Sequence, residues 1–161
     1  YLLAKHCGID VHSVHAYMLG EHGDGEFAAW SMTNMAGMPI REYCAKCGKC
    51  GQCDTELAKI EEEVRNSAYH IIGYKGATWF AVGLALVRIA EAILRNQSGV
   101  LTVSAELQGE YGLSDVTVSV PCIVGQRGIE KVLEVNFPPE EQSALERSAK
   151  TLQDALRAIG V

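Results

Sequence analysis

The fold is decided by the stretch VTVSVPCIVGQRGIEKVLEV, residues 116–135. In its first half an apolar residue occupies every second position, as on the buried face of a strand: Val116, Val118, Val120, Cys122 and Val124. GQRG at 125–128 has the composition of a turn, and 129–135 reads as a returning strand. The segment therefore predicts a β-hairpin, and VLTVSA at 100–105 predicts a further strand.

Helical patterns flank this β region. A helix is predicted from Asp54 or Thr55 to the GYKG at 73–76, because apolar residues recur every three or four positions: Leu57, Ile60, Val64, Ala68 and Ile71. A second helix, 77–96, is apolar almost all round and is predicted to be buried on most of its circumference. Prolines 138 and 139 open a final helix with an apolar stripe: Leu145, Ala149, Leu152, Leu156 and Ile159.

The N-terminal third gives weaker signals. Residues 1–8 predict the end of a helix that stops at Gly8 and began upstream of Tyr1. Residues 13–20 predict a strand, 28–38 a short strand with a loop, and 39–53 a loop. Taken together, the elements predict an α+β domain in which an antiparallel sheet packs against long helices.

Composition narrows the class of function. The chain has 161 residues, a net charge of −6 and 48% hydrophobic residues, which is enough for one domain with its own core. It has no basic stripe, so we expect neither a nucleic-acid nor an anionic-membrane partner. We find no signal-peptide pattern and no apolar run long enough to span a bilayer. No G-x-G-x-x-G dinucleotide fingerprint is present either.

The stretch MLGEHGDGEF, residues 18–27, carries the first candidate for chemistry. His22 follows a predicted strand and lies among Gly20, Gly23 and Gly25, which permit tight turns and close backbone approach. Imidazole gains and loses a proton near neutral pH, so His22 is a candidate general acid–base group. A surface histidine in a glycine-rich turn is the alternative that residue chemistry alone leaves open.

Three segments carry a resemblance to a known family: VHAYMLGEHGD (14–24), residues 62–94 and residues 109–156. In order and spacing they resemble the L-lactate and malate dehydrogenases, and GEHGD is most similar to the lactate dehydrogenase version. The resemblance implies that residues 1–161 are the substrate-binding, C-terminal domain of a cytoplasmic bacterial enzyme whose nucleotide-binding domain lies outside this chain. It also implies NAD as cofactor, pyruvate and L-lactate as substrates, and a homo-oligomer, either a dimer or a tetramer.

The resemblance assigns roles to four residues. His22 matches the general acid that protonates the carbonyl oxygen of a 2-oxo acid as hydride arrives from NADH. Thr78 matches a residue that lines the substrate pocket, and Val82, predicted one turn later on the same helix face, matches one that packs against the nicotinamide. His15 matches a histidine that binds fructose 1,6-bisphosphate in activated bacterial enzymes. Asp24 is the nearest carboxylate to His22 in sequence, although the family's own aspartate partner and its substrate-binding arginine would lie upstream of Tyr1.

The segment CAKCGKCGQC provides a candidate from another class. Its cysteines, spaced by two residues, suit a zinc or iron–sulfur site: Cys44, Cys47, Cys50 and Cys53. The family context favours a variable surface loop, and we therefore predict no metal site. The alternatives to a lactate dehydrogenase are a malate or other 2-hydroxy acid dehydrogenase, a metal-binding module on these cysteines, and a non-catalytic oligomerisation fragment.

Overall fold

The computed structural model describes residues 1–49 and 51–160. The helices and strands are numbered in chain order: α1 (Leu2–Cys7), β1 (Val14–His15), β2 (Met18–Leu19), β3 (Phe27–Ala28), β4 (Asn34–Met35), β5 (Met38–Pro39), α2 (Ile40–Cys47), α3 (Cys53–Lys75), α4 (Phe80–Leu94), β6 (Gly99–Gln108), β7 (Ser114–Gly125), β8 (Gly128–Val132) and α5 (Pro139–Ala158). Every strand pairing is antiparallel. The α+β prediction is therefore confirmed.

The main sheet has the order β6-β7-β8. Strand β7 pairs with β6 along almost its whole length, from Ser114 opposite Gln108 to Val124 opposite Gly99. The alternating side chains predicted for β7 are buried, each at 3% exposure or less: Val116, Val118, Val120, Cys122 and Val124. They form the principal core with Leu145 and Ala149 of α5, which confirms the hairpin and most of the final helix.

A second core lies among the three N-terminal helices. Leu3 and Cys7 of α1, Ile40 and Cys44 of α2, and Leu57 of α3 pack together. The prediction of a loop over 39–53 is therefore wrong for 40–47. Ile40 and Cys44 are one turn apart and both buried, so apolar burial on one face stabilises a helix in spite of the cysteine-rich composition.

Three further predictions need correction. The strand predicted over 13–20 is divided into β1 and β2, which belong to different sheets. Ile159 is 74% exposed and lies just beyond α5, so it is not part of the buried stripe. Helix α4 is not buried on most of its circumference in this chain, because Leu84 is 72% and Leu86 62% exposed. An apolar helix sequence predicts that the surface of the helix is covered, but it does not say whether this chain or another part of an assembly covers it.

The connection between α3 and α4 also differs from the prediction. Gly76 ends α3 with a left-handed φ of 76° and donates its backbone N–H to the carbonyl of Ile72. Helix α4 begins only at Phe80, so Thr78 precedes the helix instead of lying within its first turn. The predicted shared helix face of Thr78 and Val82 is therefore wrong. In the described part of the chain, no helix is long and apolar enough to cross a membrane.

Candidate active site

The loop that carries His22 is attached to the main sheet at its start. Gly20 and Ser119 of β7 exchange two backbone hydrogen bonds, with N···O distances of 2.9 and 3.0 Å. Gly20 has a φ of 99°, and a Cβ placed there would lie 2.6 Å from the hydroxyl oxygen of Ser148 on α5. Glycine is therefore required at position 20 both by the backbone conformation and by the space available.

Glu21 folds the loop back on itself. Its backbone N–H donates to the hydroxyl of Ser148, and its carboxylate accepts a hydrogen bond from the backbone N–H of Gly25 at 2.9 Å. The backbone N–H of Gly23 also donates to the carbonyl of Glu21, at 2.9 Å. These contacts fix the residues on both sides of His22, whose own side chain is 94% exposed. The ring is accessible to a ligand and is not buried among hydrocarbon.

The carboxylate beside the imidazole is Glu26. The Nδ1 atom of His22 lies 3.8 Å from Oε2 of Glu26, whose side chain is only 16% exposed. Burial raises the pKa of Glu26 above its ordinary value, and the positive charges of His22 and Arg65 act against that increase. Asp24, the nearest carboxylate in sequence, instead accepts a hydrogen bond from the hydroxyl of Tyr69 at 2.9 Å. The spacing of residues in the sequence did not indicate that Glu26 lies beside His22. The two residues are four positions apart, a spacing that predicts a contact in a helix, but they lie in a turn.

Helix α3 holds the far side of the loop through two side chains. Arg65 donates to the backbone carbonyl of Glu26 at 3.4 Å and to the carboxylate of Glu61 at 2.8 Å. Tyr69, one turn later, makes the hydrogen bond to Asp24, and this bond raises the pKa of its phenol. The loop is thus attached to the sheet, to α5 and to α3.

Thr78 lines a cavity of about 510 Å³ at the junction of α3 and α4. The walls are mainly apolar: Ile71, Lys75, Ala77, Trp79, Phe80 and Ala81. The ammonium group of Lys75 lies 5.4 Å from the centre of the Phe80 ring, which is within the range of a cation–π contact. Because Ile71 follows Tyr69 on α3, a single helix both contacts the His22 loop and contributes to the cavity of Thr78.

The remaining candidates lie elsewhere. Val82, in the first turn of α4, is 49% exposed. His15 is exposed on β1, opposite Asn34. Cys44 and Cys47 lie on α2 and Cys53 begins α3, whereas Cys50 lies outside the described residues. Within residues 1–49 and 51–160, no group of three or more histidine, cysteine or acidic side chains is arranged to hold a metal ion.

Comparison with known proteins identifies the family. The lactate/malate dehydrogenase, alpha/beta C-terminal domain family matches residues 1–159. The chain belongs to this family. It is 60% identical to the L-lactate dehydrogenase of Treponema denticola over 155 residues, which are 96% of this chain and 49% of that protein. It is 50% identical over 161 residues to the L-lactate dehydrogenase of Acetivibrio thermocellus, covering 100% of this chain and 50% of that one.

Solved structures of lactate dehydrogenases share the fold of this family member. The ligand-bound minor L-lactate dehydrogenase of Enterococcus mundtii superimposes with a TM-score of 0.92 at 39% identity, over 99% of this chain and 50% of that one. The lactate dehydrogenase MGS-M5, from a deep-sea metagenome library, gives a TM-score of 0.93 at 34% identity, with the same coverage. The chain thus spans about half the length of the relatives it matches.

Proposed function

We propose that residues 1–161 form the substrate-binding domain of an NAD-dependent L-lactate dehydrogenase and that His22 is its general acid–base group. The observation that carries the proposal is the placement of His22, whose exposed ring stands on a loop fixed at both ends. The family membership and the names of the L-lactate dehydrogenase relatives support the same reaction.

In the proposed reaction, pyruvate, a proton and NADH yield L-lactate and NAD⁺. NADH, when bound, would supply the hydride that the carbonyl carbon of pyruvate accepts. His22 donates a proton to the carbonyl oxygen, where negative charge develops, and removes that proton from the hydroxyl in the reverse direction. Thr78 is proposed to line the substrate pocket, because it borders the cavity next to α3.

The described residues fit one part of NAD. Val82 offers a half-exposed branched side chain that suits the face of a nicotinamide ring. The sequence contains no glycine-rich fingerprint for the phosphates, so we propose that a nucleotide-binding domain outside residues 1–161 holds the rest of the cofactor.

The proposal extends to assembly and control. The exposed apolar side chains of α4 favour a homo-oligomer, dimer or tetramer, because large apolar patches mark interfaces. His15 is proposed to bind a phosphate of fructose 1,6-bisphosphate, since its exposed ring can donate a hydrogen bond to that anion. The bacterial relatives support a cytoplasmic enzyme of pyruvate fermentation.

The test is the substitution His22→Gln in the full-length enzyme. Gln retains hydrogen-bonding capacity but cannot transfer a proton, so we expect kcat for pyruvate reduction to fall by about 10²–10⁴-fold. His12→Gln is the matched control, because His12 is an exposed histidine paired with Asp10 at 2.8 Å. A near-normal rate for His22→Gln would contradict the assignment. Comparing pyruvate with oxaloacetate in the same assay decides between a lactate and a malate dehydrogenase.

A further inference from the structure

We propose that Arg65 is a positioning residue for His22, and that it acts by fixing the His22 loop against α3. The inference rests on the proposed function, since it concerns where the proton donor stands. The Nη1 atom of Arg65 donates to the backbone carbonyl of Glu26 at 3.4 Å and to Oε1 of Glu61 at 2.8 Å. One side chain of α3 thus holds the backbone four residues after His22, just before β3.

The guanidinium of Arg65 is itself held in place. Its partner Glu61, one turn earlier on α3, is only 19% exposed. The other carboxylate oxygen of Glu61 accepts a hydrogen bond from Nε1 of Trp30 at 3.1 Å. A planar guanidinium that is partly buried between two acceptors has few alternative positions. Arg65 is therefore a fixed point on α3 and not a freely moving surface charge.

The contacts of Arg65 and Glu61 lie at the two ends of strand β3. Arg65 binds Glu26 immediately before the strand, and Glu61 binds Trp30, two residues after it. The residues in between, 27–29, are buried. Strand β3 is therefore fixed to α3 on both sides, and the strand and the helix are expected to move as one body.

The constraint reaches His22 through the turn that follows it. The backbone N–H of Glu26 donates to the carbonyl of Gly23, the residue after His22, at 3.2 Å. A second side chain of α3, Tyr69, also reaches the loop, but it is 59% exposed and its hydrogen bond competes with water. Arg65 therefore carries more of the positioning than Tyr69 does.

Helix α3 also connects the loop to the proposed substrate pocket. Beyond Arg65, the same helix contributes Ile71 and Lys75 to the cavity that Thr78 lines. The separation of His22 from that cavity is thus set along one helix. A general acid must stand within hydrogen-bond reach of its acceptor, and a displacement of about 1 Å can cost about 100-fold in rate. Removing the guanidinium should release the loop and leave the cavity in place.

The experiment measures the single-turnover rate of pyruvate reduction and the KM for pyruvate in the full-length enzyme and its Arg65→Met variant. Met keeps much of the aliphatic side chain and removes both hydrogen bonds. We expect the rate to fall by about 10–100-fold. The KM should change little, because Arg65 does not line the cavity of Thr78. Lys59→Met is the matched control and should leave the rate unchanged, since Lys59 is 65% exposed and pairs with Glu56 on the same helix.

A His22→Gln background separates positioning from a general structural effect. With no imidazole to place, adding Arg65→Met should leave the residual rate unchanged. Glu61→Gln is a second variant, which removes the charge that holds Arg65 but keeps an oxygen acceptor for Trp30. It should lower the rate with the same dependence on the background, and it supplies the test if Arg65→Met does not fold. Thermal unfolding of each variant checks its folding.

Each outcome is decisive. A wild-type rate in the folded variant, or an equal loss of rate with and without His22, would overturn the positioning role and leave the proposed function intact. A near-normal rate in His22→Gln alone would overturn the proposed function itself. A loss of rate confined to the enzyme that retains His22 would support the inference.

Discussion

The substitution Gly20→Ala tests how the His22 loop is built. Position 20 has a φ of 99°, and the added Cβ would lie 2.6 Å from Oγ of Ser148 and 3.2 Å from the carbonyl oxygen of Gly25. A non-glycine residue in such a conformation costs about 1–3 kcal/mol, and overpacking adds about 1–3 kcal/mol. We therefore expect the free energy of unfolding to fall by about 2–6 kcal/mol.

The assay is urea unfolding followed by circular dichroism and by the fluorescence of Trp30 and Trp79. Gly37→Ala is the matched control, because Gly37 has a φ of 80° but no neighbouring atom within 4 Å of an added Cβ. It should show the backbone cost alone, about 1–3 kcal/mol. In a Ser148→Ala background, the cost of Gly20→Ala should decrease by the part that comes from the hydroxyl contact. A Gly20→Ala protein as stable as the wild type would refute the reasoning.

Two further predictions concern charge. Burial raises the pKa of Glu26 in the folded protein, so the folded state binds its proton more readily than the unfolded state does. The resulting destabilisation is fully present above the folded-state pKa and disappears as the pH falls below the unfolded-state value. Glu26→Gln should therefore raise the melting temperature relative to wild type near pH 7, and the difference should shrink toward pH 4; a pH-independent difference would contradict this. His15→Gln should abolish activation of the full-length enzyme by fructose 1,6-bisphosphate and leave its basal rate unchanged, and activation that persists in steady-state assays would exclude the effector role.

Local patterns predicted the elements whose burial depends on this chain alone. Strand β7 buries every second side chain from Val116 to Val124, although Pro121 between them is buried as well, and this period of two is visible in the valines of the sequence. Helix α5 was predictable for a similar reason, since its prolines and glutamates mark the N-terminus and Leu145 and Ala149 meet the sheet. In both cases the local periodicity and the final packing agree.

Prediction failed where burial depends on tertiary partners. Helix α2 has two cysteines, one lysine and a following glycine, a composition typical of loops, and the contacts of Ile40 and Cys44 with α1 and α3 account for its helical state. The opposite error occurs in α4, whose apolar sequence predicts a buried helix although much of its surface is exposed in this chain. The apolar sequence of α4 indicates a surface that other parts of an assembly would cover. Such a surface fits the proposed oligomer and nucleotide-binding domain.

The candidate site also has one part that the sequence predicts and another that only the folded structure shows. His22 could be found from sequence, because a histidine among glycines after a strand is recognisable and resembles a family motif. The functions of its acidic neighbours could not, since Glu21, Asp24 and Glu26 are equivalent in a linear reading and only the folded loop separates them. One closes the turn, one binds Tyr69 and one faces the imidazole.

Each of these loop residues makes a different contact, which explains why the loop contains so many ionisable and small residues. Gly20 permits a backbone conformation that brings the loop under Ser148, and Glu21 then closes it onto Gly25. Arg65 and Tyr69 fix the opposite side from α3. The side chain of His22 takes no part in these hydrogen bonds. Because Glu21, Arg65 and Tyr69 supply these anchoring contacts, His22 keeps an exposed ring, which suits the proton transfer to a bound keto acid that we propose for it.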